Sequence, residues 1–464
     1  MFRRDPVSST EAAGTLVILP SLSFPLAELA KIKGIVHYEE RLLCMLLLLR
    51  RPELRIVFIT SQPVDPVVVD YYLSFLEDPA GAGRRLHLLS VGEAGFRPLA
   101  DKLLDHPSVL VQVRELLAGG PPATLMPFNV TPAEEAVAET LGLPIDGARS
   151  DLAVLGSKTG ARRAARRAGV AVMEGEEGLF SLDEVGDALG RLRAGGAHAA
   201  VVKLNNGFSG QGNALVDLSG PPRGAAETPT TFCATDESWR SFAVKIIDEG
   251  AIAERRASPV AASPSVQLRI RPGGRVELLS THDQILGGPG GQVYLGCRFP
   301  ASSSYRPPLT DAALRVAAVL AESGVVGPFG IDFLVMAGSD GFDIRLSEIN
   351  LRMGGTTHPF WMARLVTGGE LDLTTGRLLA EGRPLFYVAT DNLTFPRLAG
   401  LAPMVAIEAV DRAGLAYCGG RGVTLHLLGA LPGFGKVGAT CIAGSRAEAD
   451  ELFSELSTVL EGAE

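Results

Sequence analysis

Two runs of residues, Gly330–Met336 and Phe342–Asn350, flank Gly338-Ser339-Asp340-Gly341 and constrain this chain more than any other stretch. They read as a β-hairpin with a glycine-bounded turn. With a side-chain period of two, Phe342, Ile344, Leu346, Glu348 and Asn350 share one face of the return strand, and Asp332 shares a face with Leu334 and Met336. A turn centred near Asp340 sets Asp332 opposite Glu348. Two carboxylates opposed on an apolar face repel each other. A divalent cation removes that repulsion, and the neutral oxygen of Asn350 completes an oxygen-only set suited to Mg²⁺ or Mn²⁺. A slipped register would turn the same acids into surface salt bridges, and hairpin geometry alone leaves both readings open.

The second informative stretch is Val201-Val202-Lys203-Leu204-Asn205-Asn206-Gly207-Phe208-Ser209-Gly210-Gln211-Gly212. A lysine inside an apolar strand is costly unless it meets an anion. Glycines let backbone N–H groups approach phosphate oxygens closely. The spacing matches neither the dinucleotide fingerprint nor a Walker A loop, and most glycine-rich loops are tight turns. The acidic hairpin that follows raises its value. Gly429–Lys436 is a decoy, because Ala430 replaces the first glycine a P-loop needs and Val437 replaces its Ser/Thr. Gly287-Gly288-Pro289-Gly290-Gly291 reads as a mobile loop that could border an entrance. Of the arginines at 162, 163, 166 and 167, most read as solvated.

With 464 residues the chain exceeds one compact core and implies two to four domains. A net charge of −9 opposes a general nucleic-acid binder, which must neutralise many phosphates. Five scattered cysteines without a CxxC pair fit reduced thiols. The longest apolar run, Leu42–Leu49, falls short of the roughly 20 residues of a membrane span. It reads as a buried helix. With no signal-peptide pattern at the N-terminus, the expectation is a cytoplasmic enzyme with neither membrane nor nucleic-acid partners. Runs at Thr15–Leu19, Leu54–Thr60 and Leu86–Ser90 predict a small parallel sheet. Capping boxes at Thr131–Glu134, Ser181–Glu184 and Ser445–Glu448 mark helix starts.

Taken in this order, the pieces resemble the ATP-grasp superfamily over roughly Asp151–Thr390. Gly156-Ser157-Lys158 matches its first lysine, and Lys203 with Gly207–Gly212 matches its second lysine and lid. Ala251-Ile252-Ala253-Glu254-Arg255 looks like its adenine-holding hinge. Asp332 and Glu348-Ile349-Asn350 match its closing metal acids and asparagine, followed by Arg352. D-alanine–D-alanine ligases have an arginine where this chain has Gly330, and Arg298 is the candidate to supply that charge. In place of a second hinge acid for the ribose the chain offers Ser265 and Gln267. The flanks, with Pro127-Phe128-Asn129 at one end and Gly422–Gly438 at the other, are similar to the pre-ATP-grasp and terminal domains of pheganomycin-type peptide ligases. The resemblance implies a multidomain α/β and α+β fold: a Rossmann-like pre-ATP-grasp domain (1–150), a nucleotide lobe (151–254), a metal and substrate lobe (255–390) and a small α+β C-terminal domain (391–464).

That resemblance also implies ATP and Mg²⁺ (or Mn²⁺) as cofactors. Lys158, Lys203, Gly207, Ser209, Gly210, Gly212, Glu254 and Arg255 would bind nucleotide, and Asp332, Glu348 and Asn350 would hold metal. A carboxylate would become an acyl phosphate and pass to the amine of an amino acid or peptide, in peptide natural-product biosynthesis. The family's acid is a guanidino-bearing nonproteinogenic one. Arg298 and Arg352 are candidates to stabilise the oxyanion, with Asp283 and His358 (and His282) as candidate bases. A homodimer is compatible with this reading. A small-molecule kinase with the same ATP site, and a non-catalytic nucleotide-binding module, are the competing classes.

Overall fold

Runs of Val, Ile, Leu and Phe build the first sheet. The computed structural model describes residues 14–207, 212–234, 237–288, 291, 293–338, 341–372 and 375–463. They divide into two units, 1–150 with 352–464, and 151–351. In the first unit β1 (Gly14–Leu19), β2 (Leu54–Thr60), β3 (Leu86–Ser90) and β4 (Ala123–Pro127) are parallel, in the order β3-β2-β1-β4. All of β1 and six of the seven residues of β2 are buried, so these strands read as continuous apolar runs rather than alternating ones. Helix α1 (Pro132–Leu141) starts at the Thr131 capping box and stops at Gly142, whose φ of 66° a glycine adopts without strain. Leu42–Leu49 is buried as expected, inside a 3₁₀ helix spanning Ile35–Arg50.

The second unit opens with α2 (Lys158–Arg167), capped by Ser157. Five antiparallel strands follow: β5 (Gly175–Leu179), β6 (Ala199–Leu204), β7 (Asn213–Asp217), β8 (Thr230–Phe232) and β9 (Ala251–Arg255), in the order β5-β9-β6-β7-β8. Helix α3 (Leu182–Ala194) begins at the predicted Ser181 capping box and buries Val185, Leu189 and Leu192 in a core with Val202 and Phe242. A second antiparallel sheet comprises β10 (Pro264–Ile270), β11 (Val276–Gly287), β12 (Val293–Phe299), β13 (Gly327–Gly338) and β14 (Gly341–Asn350), in the order β14-β13-β10-β11-β12. Helix α4 (Arg306–Glu322) packs against β10 and β11.

The chain then returns to the first unit. Helix α5 (Thr357–Thr367) precedes β15 (Glu370–Asp372), β16 (Arg377–Ala380), β17 (Arg383–Thr394), β18 (Gly422–His426) and β19 (Lys436–Ala443), antiparallel in the order β15-β16-β17-β19-β18. Helix α6 (Arg446–Gly462) starts at Ser445 and packs on β17 and β19. Residue 390 lies inside β17. Gly429–Lys436 forms no phosphate loop: Ala430–Phe434 is a short helix, and Lys436 Nζ donates to Tyr38 Oη at 2.6 Å. Among the described residues no helix is long and apolar enough to cross a membrane.

Candidate active site

The acidic hairpin forms, with one irregularity that decides its chemistry. From the turn, Gly338 pairs with Gly341, Val335 with Ile344 and Phe333 with Leu346. Carried on unbroken, that register would set Asp332 opposite Ser347. Instead a β-bulge at Ser347 shifts the ladder, and Asp332 pairs with Glu348 and Gly330 with Asn350. The bulge also corrects the single-face reading of the strand. Ile344 and Leu346 share the face of Phe333 and Val335, whereas Glu348 and Asn350 share the opposite face with Asp332.

That face borders a cavity of about 470 Å³ within the second unit, lined by Asp332, Ser347, Glu348, Lys158, Lys203 and Glu254 among others. Lys158, at the start of α2, forms an ion pair with Glu348. Lys203, in the interior of β6, meets Glu254 Oε1 at 2.6 Å and Ser347 Oγ at 3.4 Å, so the anion an apolar strand demands of it is present. Burial, then the charge of Glu348, pushes the Asp332 carboxyl up from its ordinary range. Burial pulls Glu348 up too, but the Lys158 ion pair outweighs it and holds Glu348 down.

Asp332, Glu348 and Asn350 fit a hard divalent cation. Asn350 Nδ2 donates to Asp332 Oδ2 at 3.2 Å and to Glu348 Oε1 at 3.1 Å, so one polar atom already sits between the two carboxylates. Turning the amide by 180° presents its oxygen there instead. The set is then all oxygen, as Mg²⁺ or Mn²⁺ prefers.

Gly207 and Gly212 pack back to back at the two ends of the predicted lid. A Cβ on Gly212 would lie 2.7 Å from Gly207 Cα, a contact only glycine avoids. Ser209 and Gly210 lie outside the described residues. Ala251–Arg255, expected as a hinge, is instead the strand β9 between β5 and β6. The Glu254 carboxylate is taken by Lys203 and by Arg162 Nη1 at 3.0 Å. Arg255 is anchored to Glu174 Oε2 at 2.7 Å and Gly195 O at 2.6 Å. Glu254 and Arg255 nonetheless line the cavity, and the chain after β9 continues its wall through Arg256, Ser258 and Val260.

Asp283 and Arg298 require a correction. Ser265 pairs with both Asp332 and His282, while Asp283 pairs with Pro264 and with Arg298. Directly paired residues share a face and consecutive ones do not, so Asp283 and Arg298 lie on the sheet face opposite to Asp332. There Asp283 accepts from Tyr305 Oη at 2.6 Å and Ser302 N at 3.2 Å, tethering the start of α4. Their neighbour Gln284 lines the cavity and donates to Asp332. His282 is fully buried against the Phe299 ring, and burial lowers its pKa to about 3. In the first unit, the Arg352 guanidinium lies 5.0 Å over the Phe24 ring and Nη1 donates to Met353 O at 2.9 Å. His358 is buried, and its Nε2 bonds Asp391 Oδ1 at 2.9 Å. Burial lowers its pKa to about 4, and its other ring nitrogen, Nδ1, is buried as well.

Sequence reasoning missed Arg162, Gln284 and Ser347. Arg162 follows Lys158 by one helical turn, which places the two on one side of α2 and was a usable signal. Lys203→Ala should raise the Michaelis constant for ATP by roughly tenfold or more with little change in melting temperature, because Glu254 keeps Arg162 as its partner. Steady-state kinetics with varied ATP checks this, and an unchanged constant would remove Lys203 from the phosphate site.

Residues 45–143 match the family described as the pre-ATP-grasp domain, 226–374 that described as IQCH-like ATP-grasp, and 405–456 that described as the PGM1 C-terminal domain. The L-propargylglycine–L-glutamate ligase of Streptantibioticus cattleyicolor is 35% identical over 98% of this chain and 95% of its own. IQ motif-containing protein H of Danio rerio is 23% identical over 80% of this chain and 40% of its own. Among solved structures, a biotin carboxylase from Campylobacter jejuni bound to an ATP analogue shares the fold with a TM-score of 0.58 at 14% identity, covering 98% of this chain and 95% of its own. The ADP complex of an N5-carboxyaminoimidazole ribonucleotide synthetase does so at 0.56 and 14%, covering 97% of each. Both of these neighbours are complexes with ATP-type nucleotides. Given identity at this level along nearly the whole length of a ligase, the chain belongs to the ATP-grasp family of ATP-dependent carboxylate–amine ligases.

Proposed function

We propose that the protein activates the carboxylate of one amino acid as an acyl phosphate and joins it to the amine of a second amino acid or peptide, releasing ADP and phosphate. The observation that carries this reading is the pairing of Asp332 with Glu348 at the cavity that also holds Lys158 and Lys203. The two lysines neutralise ATP phosphates, exchanging their glutamate partners for phosphate oxygens. Asp332, Glu348 and Asn350 would hold Mg²⁺, which would offset charge on the phosphates. The segment from Arg256 to Ser263 cradles the base and sugar. Positioning and charge neutralisation then supply most of the acceleration of in-line phosphoryl transfer to the substrate carboxylate. Arg352 is the retained candidate for the oxyanion of the second step. A small amino-acid pair is favoured, because a relative similar along nearly its full length is named for joining L-propargylglycine to L-glutamate. A guanidino-bearing acid with a peptide amine is the alternative pair.

Panels of amino acids, offered singly and in pairs, test the reading by ADP release. Dependence on both substrates, with equal ADP and inorganic phosphate, is the expected result. Hydroxylamine in place of the amine should trap the activated acid as a hydroxamate. AMP with pyrophosphate, or a stable phosphorylated product, would overturn the mechanism.

A further inference from the structure

Arg162 is the bulkiest fully buried side chain in the described structure, 1% exposed, on a helix whose other arginines, at 163, 166 and 167, reach solvent. Every arm of its guanidinium is fixed. Nε donates to Glu177 Oε2, Nη1 to Met173 O and to Glu254 Oε2, and Nη2 to Gly175 O, each at 3.0 Å. Two of these partners are backbone carbonyls of the segment entering β5, so the fork is rigid and a lysine could not reproduce it. Glu254 is thereby pinned through one oxygen, while its other oxygen accepts from Lys203 Nζ at 2.6 Å. Lys203 in turn faces the cavity.

We propose that Arg162 is a positioning residue for nucleotide binding: by sharing the charge of Glu254, it keeps Lys203 oriented at the cavity and electrostatically available to a phosphate. A carboxylate held by one cation alone neutralises that cation, and one shared between two neutralises neither fully. Without Arg162, Glu254 would turn wholly to Lys203 and compete with the phosphate. The inference rests on the nucleotide reading of the cavity, and the test separates the two.

The test titrates the full-length chain with MgADP by calorimetry, comparing wild type, Arg162→Met, Arg162→Lys and the Arg162→Met/Glu254→Gln double variant. Melting curves establish that each is folded at the assay temperature. Arg162→Met should weaken MgADP at least tenfold, and Arg162→Lys should weaken it less. The double variant should bind more tightly than Arg162→Met, because the uncompensated carboxylate is gone. A purely structural arginine would lower the melting temperature and leave the dissociation constant within twofold of wild type, or leave the double variant no better than the single. Either result overturns the proposal. If Arg162→Met does not fold, Arg162→Lys decides: an unchanged dissociation constant refutes the role. Failure of the wild type itself to bind MgADP would instead refute the nucleotide site.

Discussion

Glu348→Gln is expected to lower the rate of ADP-forming ligation by roughly 10²–10³-fold, the scale set by removing one preorganised electrostatic group from a reacting centre. Glu348 pairs with Asp332 across the bulged ladder, bonds Asn350 Nδ2 and holds Lys158, so three parts of the site converge on its carboxylate. The glutamine keeps shape and hydrogen-bonding capacity while removing the charge. It also removes the repulsion on Asp332, so the melting temperature should stay within a few degrees of wild type. Asp332→Asn should behave in the same way. Turnover and thermal melting, measured together at saturating magnesium, check both. Near-normal turnover in either variant would refute the metal assignment.

Asp391→Leu should destabilise the protein by roughly 3–5 kcal/mol, the range for removing one partner of a buried ion pair. Asp391 Oδ2 pairs with Arg41, and Oδ1 accepts from His358 at 2.9 Å and His426 at 2.7 Å. An ionised carboxylate only accepts, so each imidazole presents Nε2–H to it. Burial alone would raise the Asp391 pKa, but Arg41 and then His358 hold it well below the ordinary range. Arg41 joins the Ile35–Arg50 helix to α5, β17 and β18 through this one carboxylate. The two imidazoles and the carboxylate lie close enough to chelate a metal. Arg41, on the other carboxylate oxygen, also stacks on the Tyr38 ring at 4.1 Å, with Lys436 4.8 Å from that ring. The cluster is a structural staple. In thermal melts the Arg41→Met/Asp391→Leu pair should lose less stability than the sum of its single variants, and an additive loss would refute the coupling.

The same cluster sets an acid sensitivity with a definite sign. The His358 pKa is lowered to about 4 from 6.5, so the unfolded chain takes up the proton first as pH falls. The stabilisation is fully present above pH 6.5 and is lost between 6.5 and 4, about 2 kcal/mol of it by pH 5. The melting temperature of His358→Gln relative to wild type should therefore rise from pH 7 to pH 5, and a constant difference would contradict the sign.

What the sequence determined by itself was whatever local periodicity and turn chemistry control. The strands β2 and β3 begin and end where their apolar runs do, and the three predicted capping residues each start a helix. The glycine-bounded hairpin forms, and the lysine in β6 finds the anion it needed. The tertiary structure alone decided which face each side chain took and which charges met. One unpaired residue, Ser347, turns Glu348 away from Leu346, and a bulge leaves no mark on a period-two pattern. Asp283 and Arg298 fall behind the sheet because face follows from pairing across three strands, not from proximity in sequence. The burial of Arg162 depends on Glu254, 92 residues further on, and a surface arginine and a buried one are written with the same letter until the fold supplies the partner.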